Sequence, residues 1–365
     1  MSTYPSTYTA YRRSPGTSAP PNGRLTIFPS TEESLPLASQ LRPDDVIVKI
    51  HAISLNYRDV GILIGNYPLA VESGGIPCSD AACEVVAVGE QVSAFSVGDR
   101  VTPITSIGER GGKDDDDDGM DVHIGVDTAG MMAEFAVVKE KHLVRLPEGL
   151  SWEEGSTLAC AGVTAYNALS KLQYVPKDAT AVLQGTGGVS MFALALCVAA
   201  GIQPIITSSS DAKLAAIARL YPTVLGINYK TLGSDAAVAA EVKRLTDGRG
   251  VDFVINNSGP GSLMHDIDML RDRDGAVSLV GFLNGFQADW SPSGLMALMA
   301  KRAKLQGIGM GSKKDFEEMN AYIQDKKVDL KPLLSKPFFD FKDTEKAFDK
   351  LESGDFTGKI IIKVP

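Results

Sequence analysis

Apolar and polar residues alternate along the first 150 residues in short runs that end at Gly, Pro or Asp. Alternation of this kind is typical of half-buried β-strands. The runs are RLTIF, VIVKIHAISL, CEVVAVG, DRVTPI, MAEFAVV and LVRLP, and YTAYRR near the N-terminus has the same character. This part of the chain is predicted to form a mostly antiparallel, barrel-like domain.

From about residue 163 the period of the pattern changes. Short apolar runs (TAVLQG, QPIITSS, VDFVINNSG, AVSLVGF, LQGIGMG) alternate with helical stretches such as SMFALALCVAAG and DAKLAAIARL. Alternating strands and helices at this spacing predict βαβ units and a doubly wound parallel sheet. The expected fold class is therefore α/β, with a strand-rich domain beside a dinucleotide-binding type of domain.

The last fifty residues contain an amphipathic helix, KDFEEMNAYIQDKK, and a final strand, GKIIIKVP. They are too short for a third core, so we expect them to complete the first domain. A chain of 365 residues is long enough for two domains. The predicted domains are residues 1–162 with 313–365, and residues 163–312.

Composition and charge narrow the classes of partner. Hydrophobic residues make up 44%, charged residues 22%, and the net charge is −9 without a cluster of Lys and Arg. A negative protein without a basic cluster is not expected to bind nucleic acid or anionic membranes. The longest apolar run, residues 191–200, is far below the roughly 20 residues of a membrane-spanning helix. Four cysteines are too few for a disulfide framework, and a reducing, cytoplasmic setting is expected.

Two segments allow more than one interpretation. The N-terminal MSTYPSTYTAYRRSPG faintly resembles a transit peptide, but the strand-like YTAYRR favours mature structure. The stretch at residues 105–130 contains five consecutive aspartates, Asp114 to Asp118. A solvated surface loop is the simpler interpretation, and a metal site or substrate lid that uses His123 is the alternative.

A glycine-rich turn lies between a predicted strand and a predicted helix in AVLQGTGGVSMFALAL. Gly185 allows the tight turn, Gly187 allows the backbone to approach a pyrophosphate, and the helix N-terminus attracts the anion. Gly188, Val189 and the small Ser190 continue the motif. Four further β/α alternations follow, so we predict dinucleotide binding.

The cofactor is distinguished at the end of the second strand, in IITSSSDAKL. An acidic residue at that position binds the ribose 2′-hydroxyl, whereas this sequence offers Ser208, Ser209 and Ser210 with Lys213 beyond. Asp211 is the exception, and its place before a helical run suits a helix N-cap. NADPH is the predicted cofactor.

The order of LNYRD, GDRV, ACAGVTAYNAL, GTGGVS, INYK and GKIII resembles the medium-chain dehydrogenase/reductase superfamily over nearly the whole chain. The closest similarity is to its zinc-independent quinone oxidoreductase and enoyl reductase branches. The resemblance implies a GroES-like catalytic domain followed by a Rossmann cofactor domain. It also implies a homodimer joined along the sixth Rossmann strand, LQGIGMG.

The resemblance also bears on metal binding. The catalytic zinc ligands of the alcohol dehydrogenases in that superfamily would fall on Asn56, Ser79 and Cys160. A catalytic zinc needs about three protein ligands, so a single thiol does not make the site. The four-cysteine lobe of a structural zinc is missing as well, and no metal is expected.

Further cofactor residues are implied by the resemblance. Lys213 and Tyr229 match residues that contact the 2′-phosphate of NADPH in relatives, although the segment ARLYPTVLGINYK departs from the usual pattern. Other matching positions lie near the nicotinamide or the cleft, and they are Thr164, Asn257, Ser258, Gly281, Phe282, Leu283 and Lys359. For Lys359 the alternative is a surface lysine at the start of an edge strand.

The loss of zinc ligands indicates the type of substrate. Hydride transfer to a plain ketone leaves an alkoxide that zinc stabilises, whereas a conjugated acceptor spreads the charge into an enolate or phenolate. Asn56 can donate its amide N–H to the substrate oxygen or orient the nicotinamide ribose. Tyr67 matches the proton donor of enoyl thioester reductases, and its alternative is a turn residue at the cleft rim. Tyr57 is a further candidate if the segment is extended, or else a packed aromatic residue.

The predicted function is zinc-independent, NADPH-dependent hydride transfer to a small molecule with a conjugated carbonyl, such as a quinone, enone or enoyl compound. Two alternatives stay open. One is an alcohol dehydrogenase of the same fold, which requires a metal site. The other is a non-catalytic NADPH-binding protein. The sequence does not identify the substrate, the pathway or the direction of the reaction in the cell.

Overall fold

The computed structural model describes residues 4–20, 23–107 and 122–365, without the side chains of residues 31 and 32. Asp114 to Asp118 lie outside the described residues. His123, the ligand considered for a metal site in that segment, has its Nδ1 atom 3.3 Å from Asp127 Oδ2.

Fifteen strands are found in the described part of the chain. In chain order they are β1 (Thr7–Arg13), β2 (Ile27–Ser34), β3 (Asp45–Ser54), β4 (Asp80–Val88), β5 (Arg100–Pro103), β6 (Phe135–Lys139), β7 (Leu143–Arg145), β8 (Thr180–Leu183), β9 (Gln203–Ser208), β10 (Leu225–Asn228), β11 (Phe253–Asn256), β12 (Ala276–Leu279), β13 (Lys304–Gly307), β14 (Leu334–Asp340) and β15 (Lys359–Lys363).

The α-helices of the same residues are α1 (Tyr57–Leu63), α2 (Trp152–Gly155), α3 (Val163–Ala168), α4 (Gly188–Ala200), α5 (Asp211–Leu220), α6 (Tyr229–Leu232), α7 (Asp235–Leu245), α8 (Leu263–Met269), α9 (Met296–Lys301), α10 (Lys313–Lys326) and α11 (Thr344–Ser353). A π-helical turn, Leu158–Gly162, precedes α3. No helix among the described residues is both long enough and apolar enough to pass through a bilayer.

The first of two compact units comprises Met1–Val163, Met310–Asp325 and Leu334–Pro365. Its main sheet has the order β14-β15-β3-β4-β5-β7, and β6 also pairs with β3. The pairs are antiparallel apart from β14 with β15. The predicted strand RLTIF corresponds to β2, which starts later and runs further, and YTAYRR forms its partner β1. This is the GroES-like, strand-rich domain.

The second unit comprises Thr164–Gly309 and Lys326–Leu333. Its six strands are all parallel and follow the order β10-β9-β8-β11-β12-β13. The predicted Rossmann-type parallel sheet is therefore confirmed. Helix α4 has an unbroken run of eight buried residues from Ser190 to Cys197, because a helix that is apolar on all sides belongs in a core. Residues 326–333, which the sequence placed with the first domain, cluster with this unit.

Strand register in the first unit brings distant parts of the sequence together. Ser54, at the end of β3, pairs with Asp80 at the start of β4 and with Ile361 of β15. The backbone N–H of Leu55 donates to the carbonyl of Ile360 at 3.0 Å. The end of β3 and the starts of β4 and β15 therefore lie next to one another at one end of the sheet.

The approach to β4 is held by close backbone packing. Cys78 has a φ of +70°, a left-handed conformation that non-glycine residues seldom adopt. The N–H groups of Gly130, Met131 and Met132 donate to carbonyls of residues 76–78 at 2.8 to 3.1 Å. A Cβ on Gly130 would lie 2.2 Å from the Pro77 carbonyl oxygen, so only glycine fits at this position.

Replacing Gly130 by Ala is expected to destabilise the protein by about 1–3 kcal/mol, because the backbone at residues 77 and 78 must move to admit the methyl group. Thermal unfolding of Gly130→Ala measures the effect. Gly307→Ala is the matched control, since no atom lies within 4 Å of a Cβ at that position. Equal unfolding midpoints for the two variants would contradict the packing described here.

Candidate active site

Three polar side chains meet where β15, β3 and β4 come together. The Lys359 ammonium donates to Asn56 Oδ1 at 2.7 Å and lies 3.4 Å from Asp80 Oδ2. Lys359 is 1% exposed and Asp80 is fully buried. A buried ammonium and a buried carboxylate stabilise each other only when they are paired and hydrogen-bonded. The alternative considered for Lys359, a surface lysine at an edge strand, is wrong, because the side chain is buried and β15 lies between β14 and β3.

Hydroxyl and guanidinium groups complete the environment of Asp80. Ser79 Oγ donates to Asp80 Oδ1 at 2.9 Å and accepts from the Arg58 guanidinium at 2.5 Å. Ser54 Oγ lies 3.4 Å from Asp80 Oδ2 and donates to the Ser156 carbonyl at 2.9 Å. Both carboxylate oxygens of Asp80 thus have donors, and the whole cluster is fixed by several strands.

The Asn56 amide has a defined orientation. A lysine ammonium is only a donor, so the amide atom that faces it must be the oxygen. The opposite atom, Nδ2, is buried and has no hydrogen-bond partner, and Arg58 Nε is in the same condition. Unpaired buried donors are uncommon in native proteins, so these two atoms are candidates to bind a substrate or cofactor.

Asn56 precedes helix α1, which begins at Tyr57. The carboxylate of Asp59 accepts from the backbone N–H of Asn56 at 2.8 Å, which secures the helix start. Tyr57 was a candidate on the condition that this segment is extended, and that condition is not met, because a helix begins at Tyr57. Asp59 thus binds the Asn56 backbone, and Arg58 donates to Ser79.

Tyr67 follows α1 and is half-buried against the core of this unit. Burial raises the pKa of its hydroxyl, and the neighbouring Arg58 guanidinium lowers it in part. The phenol therefore stays protonated at neutral pH. Tyr57 lies at the first position of α1 and is also half-buried.

The side chains at the three positions that the family resemblance matches to zinc ligands do not fit zinc. Asn56 Oδ1 is bound to an ammonium, and Ser79 Oγ is bound to a guanidinium and a carboxylate. Burial, with the Asp80 charge, raises the pKa of the Cys160 thiol to about 12. Cys160 is then the one residue of the three whose type zinc commonly binds, and a catalytic zinc needs about three protein ligands. The described residues hold no group of three or more His, Cys, Asp or Glu side chains arranged for a metal.

The Rossmann unit carries the glycine-rich turn after β8. Gly185 has a φ of +79°, and a Cβ at Gly185 or Gly187 would have no atom within 4 Å. Helix α4 starts at Gly188, directly after this open turn. Its first backbone N–H groups therefore lie beside the turn. Free N–H groups at a helix N-terminus bind phosphate, and this turn fits the pyrophosphate of a dinucleotide.

Side chains beneath the turn tie it to the neighbouring strand ends. Asn257 Nδ2 donates to the Gln184 carbonyl and to Ser190 Oγ, both at 3.0 Å. Gln184 Oε1 accepts from the Ser258 N–H at 3.2 Å, and Gln184 Nε2 donates to Asp266 Oδ1 at 2.7 Å. Burial raises the pKa of Asp266 to about 7, although Asn256, Ser262 and Gln184 donate to its carboxylate.

The end of β9 holds the residues predicted to select NADPH. Ser208 is buried and accepts from the Ser210 N–H at 3.1 Å, whereas Ser209 is exposed. Ser210, not Asp211, is the N-cap of α5, because its hydroxyl accepts from the Lys213 N–H at 3.4 Å. Asp211 instead accepts from Asn228 Nδ2 at 2.8 Å. Its charge is therefore held at the helix start, where the helix dipole stabilises it.

Several predicted cofactor residues share one cavity of about 220 Å³ in the Rossmann unit, namely Gly185, Ser258, Leu283 and Tyr229. His265 also lines it. The N–H of Leu283 donates to the Asn257 carbonyl at 3.1 Å, which joins the segment from Gly281 through Phe282 to this group. Thr164 is 4% exposed in α3. Lys359 is not part of this group, since it lies with Asn56 in the first unit.

Sequence reasoning missed four residues of these networks: Asp80, Ser54, Gln184 and Asp266. The signal for Asp80 was its place directly after Ser79, one of the positions aligned with zinc ligands. Gln184 directly precedes Gly185, but nothing in the helical pattern around Asp266 indicated that the two side chains meet.

Two family models match the chain. The alcohol dehydrogenase GroES-like domain matches residues 42–148, and the zinc-binding dehydrogenase model matches residues 188–325. Their order agrees with the two units of the structure.

Relatives match over most of their length. A zinc-type alcohol dehydrogenase-like protein of Schizosaccharomyces pombe is 35% identical over 91% of this chain and 94% of its own. Cinnamyl alcohol dehydrogenase 5 of Arabidopsis thaliana is 28% identical over 88% and 89%. A solved structure from Sinorhizobium meliloti 1021, named provisionally as an alcohol dehydrogenase, has a TM-score of 0.83 at 29% identity and covers 99% of this chain and 100% of that one. The chain belongs to the medium-chain dehydrogenase/reductase superfamily, whose members are pyridine-nucleotide-dependent oxidoreductases.

Proposed function

We propose that this protein is a zinc-independent, NADPH-dependent reductase of conjugated carbonyl compounds or quinones. The observation that carries the proposal is the polar network at the positions aligned with zinc ligands. An amide, a hydroxyl and a protonated thiol stand there beside the buried Lys359 ammonium, and Asn56 keeps one N–H donor without a partner.

Asn56 Nδ2 is the donor proposed for the substrate oxygen. When hydride adds to the β-carbon of an enone, negative charge develops on that oxygen as an enolate. A hydrogen bond aimed at this charge stabilises the transition state more than the ground state. A plain ketone would need stronger stabilisation of an alkoxide, which zinc supplies in metal-dependent dehydrogenases. An amide donor is therefore better suited to a conjugated acceptor.

Tyr67 is proposed to protonate the α-carbon or the second oxygen of the reduced acceptor. Its raised pKa keeps the proton in place at neutral pH, and Arg58 next to it stabilises the phenolate that remains after transfer. NADPH supplies the hydride. The turn at Gly185 to Val189 would hold its pyrophosphate, and Ser209, Lys213 and Tyr229 would contact its 2′-phosphate.

The homodimer and the cytoplasmic setting remain predictions from the sequence. Strand β13, through which the dimer would form, is the outermost strand of the Rossmann sheet. An unpaired edge of this kind can pair with a second copy.

The substrate class is tested by NADPH oxidation with chelator-treated protein. An enone and a quinone are compared with a saturated aldehyde of similar size. Turnover is expected only with the conjugated acceptors and at the same rate before and after chelation. Aldehyde turnover that disappears with the chelator would support an alcohol dehydrogenase instead.

Removal of the Tyr67 hydroxyl is expected to lower kcat by about 10²-fold, as for other general acids. The pKa of Tyr67 is raised above its ordinary value of about 10, so this acid stays loaded as the pH rises from 7 to about 9. The kcat of the unaltered enzyme should therefore stay level over that range and fall only above the raised pKa. Tyr57→Phe is the control for Tyr67→Phe, and a larger loss in the control would reassign the proton donor.

Cofactor preference is tested by Lys213→Ala. Loss of a charge-assisted hydrogen bond to the 2′-phosphate should weaken NADPH binding by about 10- to 100-fold and leave NADH binding unchanged. Fluorescence titration gives both dissociation constants. Lys230→Ala, at an exposed lysine beside Tyr229, serves as control. Equal weakening for both nucleotides would mean that Lys213 does not read the phosphate.

A further inference from the structure

We propose that Lys359 is a positioning residue that fixes the orientation of the Asn56 amide, so that Nδ2 rather than Oδ1 is presented to the substrate oxygen. The inference rests on the proposed function of Asn56 as the donor to that oxygen. It differs from the cofactor-binding role that the family resemblance implies for Lys359.

The argument starts from the two ends of an amide, which have almost the same shape and opposite hydrogen-bonding character. One end only accepts and the other only donates, and rotation by 180° exchanges them. A lysine ammonium has three donors and no acceptor. The atom of Asn56 that lies 2.7 Å from it must therefore be the amide oxygen. This single contact determines which atom occupies the other end.

The ammonium itself is held in place by its surroundings. Asp80 Oδ2 lies 3.4 Å from Lys359 Nζ, and the two side chains are 0% and 1% exposed. Asp80 is in turn bound by Ser79, whose hydroxyl contacts Arg58. The backbone hydrogen bond from Leu55 to Ile360 joins the residues next to Asn56 and Lys359. Because every member is fixed by its neighbours, the Asn56 side chain has little freedom to rotate.

Without Lys359 the amide would lose the contact that distinguishes its ends. Oδ1 could then turn toward the substrate oxygen, where two acceptors repel each other, and the donor would be lost in that fraction of molecules. The defect would appear at the stage where charge builds on the substrate oxygen. It would lower kcat and leave the affinity for NADPH unchanged, because no cofactor contact is removed.

A double-mutant cycle tests this mechanism with Lys359→Met and Asn56→Ala. Asn56→Ala should lose about 10²-fold in kcat for the conjugated acceptor, the effect of removing one donor to a developing oxyanion. Lys359→Met should lose less, because only the molecules whose amide has turned lack the donor. If Lys359 acts through Asn56, the double variant should be no slower than Asn56→Ala alone. NADPH affinity should be unchanged in all three. Lys363→Met is the control, since Lys363 lies on the same strand with its side chain mostly exposed.

Removal of Lys359 leaves the buried Asp80 charge without its ion pair, so Lys359→Met alone can fail to fold. The variant Lys359→Met/Asp80→Asn removes both charges. It should lose as much in kcat as Lys359→Met is expected to lose, and adding Asn56→Ala to it should give a protein no slower than Asn56→Ala alone. If the kcat losses of the two single variants multiply in the double variant, or if NADPH binding weakens, the positioning role is overturned. Such a result would point to direct contact of Lys359 with the substrate or the cofactor. Full activity of Asn56→Ala would overturn the proposed function itself and, with it, this inference.

Discussion

The ion pair between Lys359 and Asp80 is the contact on which the arrangement of the candidate site depends. Neither charge is exposed to solvent, and an isolated charge in that environment would be strongly destabilising. The two charges therefore require each other, and they require the hydroxyl and amide groups that complete their hydrogen bonds. Asn56 and Ser79 are held in place because they form hydrogen bonds with the two charged groups. The pair can form only if the end of β3 and the starts of β4 and β15 lie side by side.

Under the proposed function, Lys359 would supply the positive charge that a catalytic zinc supplies in metal-dependent dehydrogenases. A zinc ion stabilises the developing anion by binding the substrate oxygen directly. The Lys359 ammonium contacts the oxygen end of Asn56, so it would act on the substrate only through the amide. Such indirect stabilisation would be weaker, and it would suit acceptors that delocalise charge by themselves. Membership of the superfamily therefore fixes the scaffold, and the residues at the strand ends decide the reaction.

The sequence was informative where structure depends on near neighbours in the chain. The Rossmann strands and the turn at Gly185 were predicted because strand, turn and helix each leave a pattern within about twenty residues. Helix α10 was predicted from its amphipathic period. The helix at Tyr57 was missed. Its start depends on one hydrogen bond from the Asn56 backbone to the Asp59 side chain, and the strand-like run before it suggested that the extended chain continues. The burial of Lys359 was also missed, because its partner Asn56 lies 303 residues away and only the sheet register joins them.

The two units use a common physical device. In the Rossmann unit, the backbone N–H of Ser258 can only donate, so Gln184 Oε1 must face it and Gln184 Nε2 faces Asp266. In the first unit, the Lys359 ammonium can only donate, so Asn56 Oδ1 must face it and Nδ2 faces away. The two ends of each amide have almost the same shape, and a group that can only donate determines which end faces it. Where a site needs a donor at a defined point, such a group is an effective way to specify it, because the cost of leaving a buried donor unpaired opposes rotation of the amide.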